Sequence, residues 1–288
     1  MTKPPRTGSL LLASAIVTSS FGLAGCATAS QGPLSPLAPE SSAVDEPELP
    51  TLLYIGSSTV ANFLREAEPI YGRARFALDT IPESVGGEIA IQERHVELAG
   101  IATHPSPQTL DLGVQATLVG TDTLAVVVNV KNPVTRLTLA QLKGIFTGAI
   151  RNWKEVGGPD LSIQPFIVGK ESATHRVFRS LVLGGADYMS CEVVRPDQNL
   201  PMTIEAEPGG IGMISHSFLC SGGEVRVLAV EGESPLPSNV RYPIARPLYL
   251  LWWPGNPTVT DFIAWASTEA AAKVRARCFG PPRTIRTP

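Results

Sequence analysis

Short apolar runs rich in β-branched residues alternate with segments of helical periodicity from Thr51 onward, and this alternation constrains the fold more than any other feature. The strongest run, TLAVVVNV over residues 123–130, carries no charge and is typical of a strand. Apolar residues recur at helical spacing between Val60 and Ala67, directly after the hydroxyl residues Ser57, Ser58 and Thr59. Alternating strands and helices predict an α/β protein with largely parallel sheets.

The remaining predicted elements follow from the same patterns. Strands are expected over residues 52–55, 75–81, 96–102, 162–168, 213–214 and 241–253, and helices over residues 88–93, 137–146, 170–183 and 258–275. Gly86 and Gly87 are expected to break the chain ahead of the helix at 88–93, and the Ala-rich stretch 258–275 is expected to form one terminal helix.

The first 25 residues have the pattern of a lipoprotein signal peptide. Lys3 and Arg6 precede an apolar or small-residue stretch over residues 9–22, and Leu23-Ala24-Gly25-Cys26 then reads as a bacterial lipobox. Cleavage before Cys26 would let its thiol carry lipid such as palmitate; the alternatives are an N-terminal helix or a soluble signal with a chance cysteine. Residues 26–50, rich in Pro, Ser and Ala, predict an extended tether. The folded domain is therefore expected in the cell envelope, periplasmic or extracellular and lipid-anchored to a membrane.

Composition and cysteine count limit the function classes further. A net charge of −3, from 23 basic and 26 acidic residues, gives no electrostatic footprint for nucleic acid. Besides Cys26 the chain has Cys191, Cys220 and Cys278, so at most one disulfide forms among these three, and Cys191–Cys220 is the preferred pair. The alternative is that all three are small apolar core residues.

Two hydroxyl-rich junctions between a strand and a helix could carry chemistry. The first reads Gly-Ser-Ser-Thr-Val over residues 56–60, and the second reads Gly-Lys-Glu-Ser-Ala-Thr over residues 169–174. Free N–H groups and the positive dipole end of a helix face outward at such a junction, and nearby hydroxyls and Lys170 would add donors for an oxyanion. The alternative is that these Ser and Thr residues only cap their own helices.

Enzyme and metal signatures are missing from the sequence. No Gly-x-Ser-x-Gly elbow is present, and Gly169-Lys170 lacks the earlier glycine and the Ser/Thr of a phosphate-binding P-loop. The four histidines (His95, His104, His175 and His216) show no metal-ligand spacing with each other or with cysteine. We therefore expect no catalysis, no metal and no cofactor.

Five motifs occur in a recognisable order. They are YIGSSTV, NPVTRLTLAQLKGIFTGAIRNWKEVGG, VGKESATHRVF, PGGIGMIS and YPIARPLYL. In this order they resemble the phosphate-binding solute receptors of bacterial ABC transporters, within the broader PBP-like periplasmic receptor family, over residues 51 to about 282. The resemblance implies an α/β, two-lobed (type II) fold with two crossover strands and ligand clamped between the lobes. Lobe one would comprise residues 51–122 plus 243–288, and lobe two residues 123–242.

The resemblance also implies site residues. The first junction would contribute Thr59, the amide of Val60 and the adjacent Ser58, and the second a Ser-Ala-Thr loop where the family has Ser-Gly-Thr. Lys170 stands about where the family places an arginine, although lysine lacks its bidentate fork. The family's cleft carboxylate has Thr103 or His104 at its position. The implied ligand residues are Ser58, Thr59, Val60, Ser84, Thr103, Lys170, Ser172, Ala173 and Thr174.

The function implied by the resemblance is binding of a small oxyanion, phosphate first, by a monomeric lipoprotein that docks on a transporter permease. The altered second junction and the missing carboxylate keep an alternative open. In that alternative the chain retains the scaffold but serves as a sensor or an envelope-interaction module rather than in transport.

Overall fold

A computed structural model describes residues 48–219 and 221–285 of the chain. The signal peptide, Cys26 and most of the tether lie outside these residues, as does Cys220, so the lipid anchor and the Cys191–Cys220 disulfide stay predictions. Within the described residues the strands are β1 (Thr51–Gly56), β2 (Arg75–Asp79), β3 (Leu98–Ile101), β4 (Gln115–Asn129), β5 (Arg136–Leu137), β6 (Gln164–Val168), β7 (Glu192–Val194), β8 (Gly210–Ser215), β9 (Val225–Val230) and β10 (Ala245–Trp252). The α-helices are α1 (Ser58–Tyr71), α2 (Glu83–Gln92), α3 (Pro107–Asp111), α4 (Leu139–Thr147), α5 (Ala173–Leu181), α6 (Leu200–Ala206), α7 (Pro257–Ala266) and α8 (Glu269–Cys278).

The strands form one sheet in which two parallel sets flank a central antiparallel pair. Its order is β2-β1-β3-β10-β4-β8-β6-β7, with β9 beside β4 and β5 beside β9. Strands β1, β2 and β3 are parallel to one another, and so are β6, β7 and β8. Strand β10 runs antiparallel to both β3 and β4 and joins the two sets. The expected α/β class is therefore confirmed.

The pairing of strand β4 explains why the second half of the strand is almost entirely apolar. It pairs with β10 over its first half and with β8 and β9 over its second half. In that second half Leu124, Val126 and Val128 pack into one apolar cluster, while Ala125 and Val127 pack into another on the opposite face. Burial on both faces leaves no position at which a charged side chain would be solvated, so the run reads as continuous β-branched sequence.

The apolar core is divided along the sheet, although the described residues form one compact unit. One large cluster packs α1, α7 and α8 around residues such as Phe63 and Phe262, and a smaller one lies against α2. Two further clusters pack helices of the region 124–244, with Phe146 and Trp153 fully buried in the larger one. Trp153 donates its indole N–H to the carbonyl of Gly209 (3.0 Å), so the conspicuous NWKEVGG motif is scaffold.

The prediction that Gly86-Gly87 breaks the chain is wrong, because both glycines lie inside α2. At Gly87 an added Cβ would stand 2.7 Å from the Cα of Gly56 and 2.8 Å from the carbonyl oxygen of Ile55. The glycine is therefore required by the close approach of α2 to β1, and not by a turn.

The prediction of one terminal helix over 258–275 is also wrong. The segment forms α7 and α8, separated at Ser267 and Thr268. The Thr268 hydroxyl accepts a hydrogen bond from the amide of Ala271 and so begins a new helix. In the part of the chain that the structure describes, no helix has the length and apolar character needed to cross a bilayer.

Candidate functional site

The two hydroxyl-rich junctions lie at the carboxyl ends of parallel strands, one in each parallel set. Helix α1 follows β1, and α5 follows β6. Ser57 and Ser172 cap these helices by accepting hydrogen bonds from the amides of Val60 and Thr174. Carboxyl ends of parallel strands are where open α/β sheets bind ligands, because the helix N-termini that follow them point toward the same edge.

Arg246 of β10 connects the two junctions. One of its terminal N–H groups donates to the Thr59 hydroxyl and the other to the Thr174 hydroxyl, both at 3.0 Å. Its Nε–H donates to Asp122 Oδ2 at 2.9 Å, across the register pair that β4 and β10 form at these residues. The side chain is 2% exposed and that of Asp122 is fully buried. The N-terminal ends of α1 and α5 therefore converge on a single guanidinium.

Burial and pairing act on Asp122 in opposite directions. Desolvation raises the pKa of its carboxyl above the ordinary value, and the charge and hydrogen bonds of Arg246 offset this only in part. A guanidinium hardly ever loses its proton, so the buried ion pair keeps one positive charge fixed beside both threonines.

Each junction also holds a carboxylate of the chain itself. The amide of Ser58 donates to Glu83 Oε2 (3.1 Å), and the Ser172 hydroxyl donates to Asp197 Oδ2 (2.6 Å). Glu83 is the first residue of α2 and is 8% exposed, and Asp197, which follows β7, is 6% exposed. Burial, followed by the nearby charge of Asp197, raises the pKa of Glu83 to about 7, and burial raises the pKa of Asp197 to about 6.

The structure brings together most of the residues that the sequence singles out. Ser58, Thr59, Ser172 and Thr174 all belong to the network just described. Ser84 is fully buried beside it and accepts a hydrogen bond from the amide of Ala102 (3.2 Å). Val60 and Ala173 are also buried, and both side chains pack in the cluster around α1. The ligand roles of all of these residues stay predictions.

Within the described residues, neither Thr103 nor Lys170 is a hydrogen-bond partner of Arg246, whose partners are Asp122, Thr59 and Thr174. Thr103 lines a cavity of about 160 Å³, together with His104, Arg176 and Arg246. His104 Nε2 lies 3.0 Å from the carbonyl oxygen of Ile285. Lys170 is exposed and lines a separate groove on the outer side of α5. The cation that bonds both threonines is thus Arg246, not Lys170.

Sequence reasoning missed the four charged residues at the centre of the site (Glu83, Asp122, Asp197 and Arg246). A usable signal existed for two of them: Asp122 directly precedes the apolar run 123–130, and Arg246 lies within the expected strand 241–253. A charge that is buried in such a segment needs a partner. Glu83 and Asp197 carry no such signal, since they stand in polar stretches whose place in the fold depends on the packing of α2 and of the turn after β7. Among the described residues, no group of three or more His, Cys, Asp or Glu side chains is arranged to hold a metal ion.

Residues 41–269 match the family described as the PBP superfamily domain, which is most of the chain. The chain belongs to the PBP superfamily. Its similarity to PstS, the phosphate-binding protein of Bacillus subtilis, is 33% identity over 124 residues, covering 42% of this chain and 41% of the relative. It is also similar to the SphX protein of Synechococcus elongatus, with 29% identity over 175 residues that cover 55% of this chain and 48% of SphX. The chain thus spans less than half the length of these curated relatives.

Solved structures share this superfamily fold over nearly the whole described body. A Clostridium perfringens protein, assigned as a phosphate ABC transporter substrate-binding protein and solved with bound phosphate, superposes with a TM-score of 0.75 at 23% identity. The superposition covers 81% of this chain and 100% of the Clostridium perfringens protein. An ABC-type phosphate transport receptor from Vibrio cholerae gives a TM-score of 0.65 at 24% identity, and the superposition covers 81% of this chain and 100% of the receptor. These likenesses confirm the PBP-like α/β fold.

Proposed function

We propose that this chain is an extracytoplasmic, lipid-anchored receptor that binds a small oxyanion, phosphate first, between the N-terminal ends of α1 and α5. The observation that carries the proposal is the pair of hydrogen bonds from Arg246 to Thr59 and Thr174, which brings two junctions far apart in sequence to one point. Phosphate is placed first because the curated relatives include phosphate-binding proteins and one structural neighbour holds phosphate.

The donors at this point suit an oxyanion. Each threonine oxygen accepts from Arg246 and still has its own proton to donate. The N-terminal amides of two helices and one guanidinium add positive potential, and charge-assisted hydrogen bonds to an anion are stronger than neutral ones. Recognition of this kind needs no chemical step, so the proposed function is binding alone.

We propose the lobe boundaries given by the resemblance, residues 51–122 with 243–288 and residues 123–242, as the units that move. The apolar clusters support this division, since those around α1 and α2 and those of the region 124–244 are largely separate. Strands β4 and β10 would be the crossings, and closure over the anion would bend the chain there. The closed, monomeric form would then dock on the permease of an ABC transporter.

Isothermal titration calorimetry of the full-length chain in mild detergent tests the proposal. Phosphate should give saturable heat, and the variants Thr59→Val and Thr174→Val should each bind it at least about tenfold more weakly, because each loses a hydroxyl donor to the anion. Thr260→Val, an exposed threonine of α7, is the matched control and should bind normally. Sulfate and methylphosphonate, titrated in parallel, identify the preferred anion.

One observation favours the alternative function, a non-transport sensor or envelope-interaction module. Donors at both junctions, the Ser58 amide and the Ser172 hydroxyl, are bonded to the chain's own carboxylates. Absence of heat with phosphate, sulfate and methylphosphonate, together with no thermal shift at millimolar anion, would support this alternative and contradict the receptor proposal.

A further inference from the structure

Glu83 and Asp197 accept hydrogen bonds at the two helix ends between which the proposed receptor function places the oxyanion. Glu83 accepts from the amide at the first residue of α1, and Asp197 accepts from the hydroxyl that caps α5. Both positions are helix N-termini, whose free donors and dipole favour a negative group. The chain thus supplies its own anionic groups to the two ends that the proposed ligand would share.

The charges around these carboxylates do not neutralise them. Of the described residues, no Lys or Arg comes within 4.0 Å of either carboxylate. The groups that face Glu83 are the Ser58 amide, the Tyr54 ring, Asp197 and Arg246, and Arg246 is already paired with Asp122.

Asp197 likewise lacks a cation of its own within 4.0 Å among the described residues. It faces the Ser172 hydroxyl, Arg246 and the ion pair of Glu171 with Arg195, in which Arg195 Nε lies 2.6 Å from Glu171 Oε1. When Glu83 and Asp197 are both ionised, they and Asp122 place three carboxylates around the guanidinium of Arg246. The nearby Arg176 adds a second positive charge, which the charge of Glu88 offsets. A further anion would meet net repulsion there.

The backbone of Glu83 indicates that this contact is held against a conformational preference. Its φ of +51° lies in the left-handed region, which is unusual for a residue with a side chain. Such conformations persist where the surrounding structure holds the residue in place. The Ser58–Glu83 bond is thus part of a constrained arrangement.

We propose, on the basis of the receptor function above, that Glu83 and Asp197 are internal counter-ligands which the oxyanion replaces only when they carry protons, so that anion binding takes up protons from solvent. A protonated carboxyl no longer repels the anion and offers one O–H donor to it. An ionised carboxylate keeps the helix donors for itself. The ligand therefore binds more weakly as the pH rises through the range in which the two groups titrate.

The environment of both groups is consistent with titration near neutral pH. Burial, with the charge of Asp197 second, raises the pKa of Glu83 to about 7, against the lowering effect of the Ser58 hydrogen bonds and of Arg246. Burial raises the pKa of Asp197 to about 6, against the Ser172 hydrogen bond and Arg246. The expected window for proton uptake is therefore about pH 5 to 8.

Phosphate calorimetry on the full-length chain in detergent, from pH 5 to pH 8.5, tests this inference. Phosphate itself titrates in this range, so the measured quantity is the ratio of wild-type affinity to that of Glu83→Gln/Asp197→Asn. This ratio should fall by at least about tenfold from the lowest to the highest pH, since each proton taken up changes affinity by up to about tenfold per pH unit. Glu205→Gln, which changes an exposed glutamate of α6, should keep the wild-type profile.

Titrations in two buffers of different ionisation enthalpy give the number of protons taken up. Wild type should take up more protons per phosphate than the double variant. Circular dichroism checks the fold of the variants, and the two single variants, each expected to lose part of the extra uptake, replace the double variant if it does not fold. Phosphate binding with the same profile and proton uptake in wild type and variants would overturn this inference alone. Lack of phosphate binding at every pH, in wild type and variants, would contradict the receptor function as well.

Discussion

Replacing Arg246 by methionine tests the buried network at the centre of the site. The substitution removes two hydrogen bonds to threonines and the ion pair to Asp122, a carboxylate with no exposed surface. Removing one partner of a buried ion pair costs about 3–5 kcal/mol, because the other charge stays buried without compensation. For a body of this size the melting temperature falls by about 2–4 °C per kcal/mol, so a loss of roughly 6–20 °C is expected.

Denaturant unfolding of the full-length chain, followed by tryptophan fluorescence, measures this cost. Arg277→Met is the matched control, since its side chain is 64% exposed and lies 3.5 Å from Glu66, and it should change the free energy of unfolding by less than about 1 kcal/mol. Adding Asp122→Asn to Arg246→Met should recover part of the loss, because no unpaired charge remains. The deficit of Arg246→Met should also shrink at low pH, where Asp122 is protonated. A deficit no larger than that of Arg277→Met would show that the Arg246–Asp122 pair does not stabilise the fold.

Three further outcomes are expected. Gly87→Ala should lower the free energy of unfolding by about 1–3 kcal/mol, because its methyl group would meet β1 backbone atoms at 2.7 and 2.8 Å; an unchanged melting curve would contradict this. The free energy of unfolding of wild type should fall as the pH rises from about 4.5 to about 7, because the folded-state pKa of Glu83 lies above its ordinary value. Glu83→Gln should show a smaller fall when unfolding is measured against pH, and an equal fall would contradict the raised pKa of Glu83. Lys170→Met should weaken phosphate binding by less than about tenfold, and less at high salt, because the exposed charge acts only at long range; loss of binding would instead place Lys170 on the ligand.

The sequence allowed the fold to be predicted where local signals and tertiary structure agree. The apolar run of β4 could form a strand only between two core layers, and Thr138 and Gly148 mark the ends of α4 through its capping box and its left-handed C-cap. Prediction failed at Gly86-Gly87, where tertiary contact decided the residue type. Whether a glycine ends a helix or lets a helix approach a strand depends on neighbours that are distant in sequence.

The site was predictable in its hydroxyl groups but not in its charges. Thr59 and Thr174 belong to motifs that sit at helix starts, so their position follows from local sequence. Arg246 reaches them only because β10 pairs with β4 in one particular register, which also sets it opposite Asp122. Asp197 reaches α5 from the turn after β7. These relations are set by strand order and register, which periodicity does not specify.

The most direct test of the account is a crystal structure of the chain grown with arsenate, an anomalously scattering analogue of phosphate. An arsenate anion is expected within hydrogen-bonding distance of the hydroxyls of both Thr59 and Thr174. Arsenate bound elsewhere on the protein, with neither threonine hydroxyl in contact with it, would contradict the proposed site.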